Sequence, residues 1–175
     1  GGFITTNNSK IAKYVGKLRN HGLIDRNKVE FFGYNSRLDN IQAAILNFRL
    51  KNINKLINKR RKNAKYFINN LNNNHIFCPS EGKGEFNTYQ VFVIQTNKRD
   101  KLKKYLLKKG IPTYIHYPIP IHKHQMFKNR NISLPVTEKL SKKILSLPVH
   151  NNLSMKKIEF ITKTINSFFK NEKKL

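Results

Sequence analysis

The sequence predicts a mixed α/β chain in which a long helix leads into a small α+β domain. Residues 39–71 contain no proline or glycine and repeat apolar side chains at helical spacing. Residues 89–95 are rich in β-branched and aromatic side chains, which is typical of a strand. Residues 99–109 and 154–169 have the amphipathic pattern of helices. Together these segments indicate a long helix followed by a small domain that contains helices and at least one strand.

The first part of the chain is predicted as a strand, a helix and an extended loop. Gly1 to Asn8 has the pattern of the middle of a strand. A helix is predicted to begin with Ser9 as its N-cap and to end near Gly22, which can adopt the left-handed conformation of a helix end. The stretch from there to Gly33 has no clear period, so we expect a loop.

A single helix over residues 39–71 would be about 50 Å long at 1.5 Å per residue. This exceeds the length of an ordinary globular helix, so we predict that it connects two domains. Its middle, residues 58–63, is strongly polar, as expected for a solvated connector. We therefore divide the chain into the end of a larger domain (residues 1–48), the connecting helix (49–74) and the small α+β domain (75–175).

Within the small domain, residues 111–117 are predicted as a second strand. Pro118 and Pro120 end it, because proline cannot donate a hydrogen bond to a ladder. Two helices are predicted to begin at Thr137 and Ser154.

The chain of 175 residues is strongly basic, with 35 Lys and Arg against 9 Asp and Glu and a formal net charge of +26. Taken alone, this charge favours nucleic acid or an anionic membrane as a partner. The basic residues are spread along the whole chain among Asn and Ile, however, as an AT-rich coding sequence produces. No apolar run approaches the length of a membrane span. We therefore predict neither nucleic acid nor membrane as a partner.

Cys78 is the only cysteine, which excludes an intrachain disulfide and fits a reducing compartment. We expect it to be a small buried apolar side chain. The chain also lacks the pattern of a signal peptide at its start, and we predict a cytoplasmic location.

Two polar clusters in the first part of the chain are candidates for a functional site. Arg19-Asn20-His21-Gly22 follows a predicted helix, where a histidine usually makes only a favourable contact with the helix dipole. Tyr34-Asn35-Ser36-Arg37 runs into the start of the next helix, and a helix N-terminus is a natural site for an anion such as phosphate. The alternative is that Asn35 or Ser36 caps that helix and Arg37 is solvated.

A third cluster is His116-Tyr117, which is followed by two prolines and by His122 and His124. The prolines stiffen a loop directly after a predicted strand, so the imidazole and phenol groups would be held rigidly. Three histidines could suggest zinc, but no cysteine lies nearby and no carboxylate stands at ligand spacing, so we predict no metal site. The sequence contains no P-loop, no GxGxxG dinucleotide-binding turn and no nucleophile–base pair. Local chemistry alone therefore does not define a reaction.

The order of these clusters along the chain is more specific than any one of them. The motifs are, in order, Gly1-Gly2-Phe3-Ile4-Thr5-Thr6-Asn7, Leu18-Arg19-Asn20-His21-Gly22, Gly33-Tyr34-Asn35-Ser36-Arg37-Leu38-Asp39, Gln42-Ala43-Ala44-Ile45-Leu46, Ile115-His116-Tyr117-Pro118-Ile119-Pro120, Leu134-Pro135-Val136-Thr137-Glu138 and Leu145-Ser146-Leu147-Pro148. In this order they closely resemble the C-terminal half of the DegT/DnrJ/EryC1/StrS family of sugar aminotransferases, and the resemblance covers nearly the whole chain.

The resemblance implies an α/β enzyme that depends on pyridoxal 5'-phosphate (PLP) and has the aspartate aminotransferase fold, fold type I. Members of the family typically transfer an amino group from glutamate to a keto sugar carried by a nucleotide, in the biosynthesis of cell-surface polysaccharides or deoxyamino sugars. They act as homodimers with each active site at the subunit interface. The chain would then contain the end of the large domain, the connecting helix and the small C-terminal domain.

The resemblance also implies roles for individual residues. Asn35 matches an asparagine that reaches the cofactor phosphate of the other subunit. Arg37, His116 and Tyr117 match residues that lie near the nucleotide sugar in some members. The Schiff-base lysine of the family lies just upstream of the segment that matches Gly1, so no catalytic residue is predicted here. We therefore expect the chain to be part of a longer protein and inactive by itself.

Three alternatives remain open on the sequence alone. A minority of the family are PLP-dependent sugar dehydratases, which replace the Schiff-base lysine with histidine. A catalytically inactive member would serve only as a dimerisation domain. A basic nucleic-acid-binding module would bind with a steep dependence on salt. The identity of the keto sugar, its nucleotide and the carbon that is aminated cannot be inferred from these residues.

Overall fold

The computed structural model describes residues 2–71, 74–127 and 130–171, and the chain divides into two compact units between Ile53 and Asn54. The elements among the described residues are α1 (Ser9–Leu18), β1 (Leu23–Asp25), β2 (Lys28–Val29), α2 (Asn40–Leu50), α3 (Ile53–Asn70), β3 (Phe92–Gln95), α4 (Arg99–Lys108), α5 (Pro135–Ser141), β4 (Ile144–Leu147) and α6 (Met155–Asn171). Short 3-10 turns lie at Ile121–Lys123 and Gln125–Phe127. The predicted mixture of helices and strands is confirmed, and the predicted domain limits remain a prediction.

Helix α1 lies where the sequence predicted a helix, but its N-cap is Asn8 rather than Ser9. The Oδ1 atom of Asn8 accepts hydrogen bonds from the backbone N–H groups of Lys10 (2.9 Å) and Ile11 (3.3 Å), which have no partner inside the helix. The strand predicted before this helix is wrong. Residues 2–6 are exposed and pair with no strand among the described residues, so nothing holds them in a ladder.

The stretch predicted as a loop after α1 contains an antiparallel hairpin of β1 and β2, with Leu23 opposite Val29. The carboxylate of Asp25 accepts a hydrogen bond from the backbone N–H of Asn27 (2.9 Å), and this contact closes the turn. No residue of the two strands is buried. Because neither strand has a buried face, its sequence lacks the alternation of apolar and polar residues from which a strand is predicted.

The single helix predicted over residues 39–71 is wrong, because the structure has two helices there. Helix α2 ends at Leu50 and α3 begins at Ile53. The N–H of Asn52 bonds to the carbonyl of Arg49 (3.1 Å), three residues back instead of four, so the helical ladder is interrupted. Asparagine competes with the helical backbone for hydrogen bonds and favours such a turn even without proline or glycine.

The second unit has a core built on a two-stranded antiparallel sheet of β3 and β4, which pair from Phe92 opposite Leu147 to Gln95 opposite Ile144. Helices α3, α4 and α6 contribute apolar side chains to this core. Its largest fully buried side chains are Phe67, Phe92, Phe169, Ile94, Leu102, Leu106, Leu145, Ile158 and Ile165. The predicted strand at residues 89–95 is confirmed with shorter limits.

The second predicted strand, residues 111–117, is wrong. Among the described residues this segment makes only an isolated antiparallel bridge, in which Tyr114 and Ser146 exchange two backbone hydrogen bonds of 2.7 and 3.2 Å. Pro112 removes one donor from the segment, so a longer ladder cannot form there. The partner, β4, was not predicted. Three of its four residues are buried, which removes the alternation typical of a half-exposed strand.

The remaining helices follow the sequence with small shifts. Helix α4 ends at Lys108, and Gly110 has the left-handed φ of +73° expected after a helix end. Helix α5 begins at Pro135 rather than Thr137, because proline fits the first helical position. Helix α6 begins one residue after Ser154, whose carbonyl accepts a hydrogen bond from Ile158 (3.1 Å).

None of the helices in the described ranges is long and apolar enough to cross a membrane. Cys78 is half-buried and packs against the core of the second unit, in agreement with the prediction of an apolar role. Burial raises the pKa of its thiol to about 11.

We expect iodoacetamide to alkylate Cys78 in the folded protein about 100-fold more slowly at pH 8 than in urea, because the thiolate reacts and an ordinary thiol has a pKa near 8.5. The rate in the folded protein should keep rising up to about pH 11, whereas the rate in urea levels off earlier. Mass spectrometry of the labelled chain over time measures both rates. Equal rates at pH 8 would contradict the burial of the thiol.

Candidate functional site

The predicted site residues lie in both compact units. Asn35 and Arg37 belong to the first unit, and His116 and Tyr117 belong to the second. The structure places each pair on a segment without regular secondary structure whose neighbours are fixed by hydrogen bonds.

In the first unit, the segment around Asn35 lies beside the end of α1. Four hydrogen bonds join the two segments: Tyr34 N–H to the Leu18 carbonyl (2.7 Å), His21 N–H to the Tyr34 carbonyl (2.9 Å), Ser36 N–H to the Arg19 carbonyl (2.9 Å) and Arg19 Nε to the Ser36 carbonyl (3.3 Å). Asn35 itself forms an isolated bridge with Asn20. The backbone on both sides of Asn35 is therefore held in place.

The side chain of Asn35 is exposed and makes no hydrogen bond with the described part of the chain. The alternative that Asn35 or Ser36 caps the following helix is wrong, because α2 begins only at Asn40 and its N-cap is Asp39. The backbone N–H of Asp39 also donates to Gln42 Oε1 (3.4 Å), as in a capping box. The Asn35 amide is thus a free donor on a fixed backbone.

Arg37 is also exposed, and its guanidinium has no ion-pair partner among residues 2–71, 74–127 and 130–171. A guanidinium offers five N–H donors in a planar arrangement that suits phosphate and carboxylate groups. Asn35 and Arg37 stand two residues apart in the same segment, so an amide and a cation are available close together. This pair of groups is suited to binding an anion.

Two glycines make the close approach of these segments possible. Gly22 has a φ of +72°, and a Cβ atom added there would lie 1.8 Å from the carbonyl oxygen of Phe31. A Cβ atom on Gly33 would lie 2.2 Å from the backbone nitrogen of Gly22. The sequence predicted Arg19-Asn20-His21-Gly22 as a separate candidate cluster, whereas the structure shows that residues 18–21 support residues 34–36. The two glycines were the signal that could have revealed this contact.

A groove of about 970 Å³ lies in the first unit, and its lining includes Arg19 and Ser36, both next to the Asn35 segment. The remaining lining comes from residues 2–6, from α1 and from Leu38.

Helix α2 follows the Asn35 segment. The structure describes all of its residues, and none of them is buried. Its apolar side chains, such as Ile41 and Phe48, are exposed.

In the second unit, His116 is held by a hydrogen bond between its Nδ1 and Ser146 Oγ (2.9 Å). Ser146 lies on β4, and its backbone also bridges to Tyr114. The ring of Tyr117 lies edge-on to the His116 ring, with 5.6 Å between centroids, and is 74% exposed. The imidazole is therefore oriented by the sheet, and the phenol is accessible.

A buried contact that sequence reasoning missed lies just after these residues. The side chain of His122 is buried, and its Nε2 lies 2.9 Å from Glu138 Oε1 on α5. The same carboxylate oxygen accepts from the backbone N–H of Leu134 (3.2 Å) and from Lys123 Nζ (3.1 Å). The hydrogen bond from His122, together with those from Leu134 and Lys123, lowers the pKa of the Glu138 carboxyl to about 2. His122 and Glu138 both appeared in the sequence motifs, but nothing in the sequence paired them.

Two of the three histidines of this loop are used in such contacts. His116 bonds to a serine, His122 bonds to a carboxylate, and His124 is exposed. In the described part of the chain, no group of three or more His, Cys, Asp or Glu residues is arranged to hold a metal ion.

Comparison with known proteins identifies the family of the chain. The model of the DegT/DnrJ/EryC1/StrS aminotransferase family matches residues 1–166. This chain belongs to that family. The dTDP-3-amino-3,6-dideoxy-alpha-D-galactopyranose transaminase of Aneurinibacillus thermoaerophilus is a similar member. It is 32% identical over 169 residues, which are 96% of this chain and 47% of that protein.

Two solved structures have the same fold. S. venezuelae DesV in complex with a ketimine intermediate has a TM-score of 0.85 at 28% identity, over 93% of this chain and 45% of DesV. NtdA from Bacillus subtilis with bound cofactor PMP has a TM-score of 0.82 at 26% identity, over 91% of this chain and 40% of NtdA. The predicted PLP-dependent transferase fold is confirmed. The chain spans about half the length of the curated relatives it matches.

Proposed function

We propose that this DegT/DnrJ/EryC1/StrS family chain provides the cofactor-phosphate and substrate contacts of a PLP-dependent nucleotide-sugar aminotransferase, which takes its amino group from glutamate. The observation that supports this proposal most directly is the free amide of Asn35 on a backbone held from both sides. A donor on a backbone that is already fixed binds an anion without a further cost of ordering that backbone.

The residues present fit a cofactor that carries a phosphate. The Asn35 amide supplies an N–H donor, and Arg37 supplies a cation in the same segment, with no competing partner among the described residues. When bound, PLP supplies an electron sink that makes amino-group transfer possible, and a lysine outside this chain's residues would hold it. Asn35 would bind the phosphate, while Arg37 would neutralise charge on the phosphate or on the nucleotide.

His116 and Tyr117 are suited to orient the sugar nucleotide. The bond to Ser146 fixes the ring of His116, and Tyr117 offers an exposed hydroxyl. Hydroxyl and imidazole groups form directional hydrogen bonds with sugar hydroxyls. A stiff loop keeps these protein groups in a fixed position, so the sugar is held in a productive orientation. We place the enzyme in the cytoplasm, in a pathway that makes deoxyamino sugars or cell-surface polysaccharides.

We further propose that the enzyme is a homodimer in which Asn35 serves the cofactor of the other subunit. The exposed apolar side chains of α2 support this arrangement, because an apolar helix with no buried residue needs a surface to cover it. Since α2 begins three residues after Arg37, a second subunit on that helix would lie near the proposed phosphate contact.

In the complete polypeptide, we expect Asn35→Ala to weaken PLP binding by about tenfold or more, because it removes a hydrogen bond to a charged group. Titration of the protein with PLP, followed by the visible absorbance band of the bound cofactor, measures the affinity. Asn27→Ala, in the exposed turn between β1 and β2, is the matched control and should bind PLP like the wild type. Unchanged affinity in Asn35→Ala would overturn the proposed role.

The sharing of Asn35 between subunits has its own test. We expect a mixture of Asn35→Ala subunits with subunits lacking the cofactor-binding lysine to regain about a quarter of the wild-type activity, because half of the dimers are mixed and each has one complete site. At a PLP concentration too low to saturate Asn35→Ala, neither variant alone should show that activity. If the mixture stays inactive, Asn35 does not act across a subunit interface.

A further inference from the structure

The loop that carries His116 and Tyr117 is fixed at both ends by side-chain contacts. At its start, His116 Nδ1 lies 2.9 Å from Ser146 Oγ on β4. At its end, His122 Nε2 lies 2.9 Å from Glu138 Oε1 on α5. Each contact joins the loop to a different element of the second unit. The five residues between the two contacts, 117–121, form an arch that is held at both ends.

The five residues between these contacts are exposed or half-buried and have little other support. Tyr117, Ile119 and Ile121 expose most of their side chains, and Pro118 and Pro120 carry no backbone N–H that could anchor the arch. The prolines limit the conformations of the arch but do not attach it to the rest of the unit. Its position therefore depends on the contacts at its two ends.

We propose that the His122–Glu138 pair is the positioning contact that places His116 and Tyr117 for the nucleotide sugar, a role that rests on the function proposed above. His122 does not present its imidazole to solvent, because only 6% of its side chain is exposed. It acts through the loop and does not bind the substrate. The same Glu138 oxygen also accepts a hydrogen bond from the backbone N–H of Leu134, at the start of α5. It also contacts Lys123 Nζ.

The chemistry of the pair suits a positioning role. The ionised Glu138 carboxylate is an acceptor only, so Nε2 of the His122 ring carries the hydrogen of this bond, and the bond is directional. A charge-assisted bond from a buried ring fixes both the rotation of the ring and the path of the backbone that carries it. Lys123 is exposed, so its contact with the same carboxylate is the weaker support.

The decisive experiment separates sugar binding from the reaction with glutamate in the complete holoenzyme. The unreactive probe is whichever of dTDP-glucose, UDP-glucose and GDP-glucose the wild type binds. We expect His122→Ala to weaken the binding of this probe by about tenfold in isothermal titration calorimetry. The rate at which glutamate removes the visible band of the bound cofactor should change less than twofold, because that half-reaction does not use the arch. A general loss of structure would impair both measurements together.

Two variants control for nonspecific effects. His122→Gln can still donate a hydrogen bond to Glu138, so we expect it to retain most of the affinity for the probe. This second variant keeps the proposal testable if His122→Ala unfolds. His124→Ala changes an exposed histidine two residues further along the chain and should bind the probe like the wild type.

Amide hydrogen exchange provides a readout that does not depend on catalysis. Exchange at residues 114–124 should accelerate in His122→Ala and remain unchanged in His124→Ala. Unchanged exchange, or probe binding equal to that of the wild type in a protein that reacts with glutamate, overturns the inference while the proposed function stands. A wild-type protein that never binds PLP refutes the proposed function and with it the substrate role of the arch, whereas accelerated exchange would still support the contact itself.

Discussion

Gly22→Ala is expected to destabilise the first unit by about 3 kcal/mol and to weaken cofactor binding with it. The residue has a φ of +72°, where an alanine costs roughly 1 kcal/mol or more. The new Cβ atom would also lie 1.8 Å from the carbonyl oxygen of Phe31, so the backbone must move, and such overpacking costs about 1–3 kcal/mol. That movement separates the end of α1 from the segment that carries Asn35.

Urea unfolding of the complete polypeptide, followed by circular dichroism, measures the loss of stability, and PLP titration measures the loss of affinity. Gly16→Ala is the matched control because Gly16 lies inside α1 and a Cβ atom there would meet nothing within 4 Å. It should stabilise the protein by about 0.5–1 kcal/mol, since alanine favours a helix over glycine. A Gly22→Ala protein as stable as the wild type would show that the two segments are not packed as described.

The second large effect is expected from Phe67→Ala, which should lower the free energy of unfolding by about 3–5 kcal/mol. Phe67 lies on α3 with no exposed surface, and its ring stacks on Phe92 of β3 with 5.3 Å between centroids. Removing it leaves a cavity between helix and sheet in addition to the loss of buried apolar area.

Phe160→Ala is the control for the same side-chain change at the surface. Phe160 lies on α6 and is 53% exposed, so its removal should change the free energy of unfolding by only about 0.5 kcal/mol. The comparison uses urea unfolding of the complete polypeptide for both variants. A loss of less than about 1 kcal/mol in Phe67→Ala would contradict the packing of α3 on the sheet.

The helices could be predicted well because their signals are local. Helix α4 has apolar residues at helical spacing and a glycine after its end, and α6 follows a serine that opens it. The break at Asn52 could not be predicted from periodicity, since the apolar pattern continues on both sides of it. Strand β4 escaped prediction because its burial removes the alternation on which strand prediction depends.

The candidate site was predictable as a set of motifs but not as a set of contacts. Asn35 was found by resemblance, and its local alternative as a helix cap was excluded only when the structure placed the N-cap at Asp39. The pairing of His122 with Glu138 joins residues 16 positions apart through a buried side chain. Composition gave no sign of it, because most of the charged residues of this chain are lysines and few are acidic.

The support of Asn35 has a consequence for the order of assembly. All four hydrogen bonds that hold its neighbours come from residues 18–21, fewer than twenty positions earlier in the chain. Contacts between residues so close in sequence close small loops and form early in folding. In the dimer proposed above, each monomer would carry its Asn35 segment already in place before the subunits meet. Association would then complete the site by docking alone.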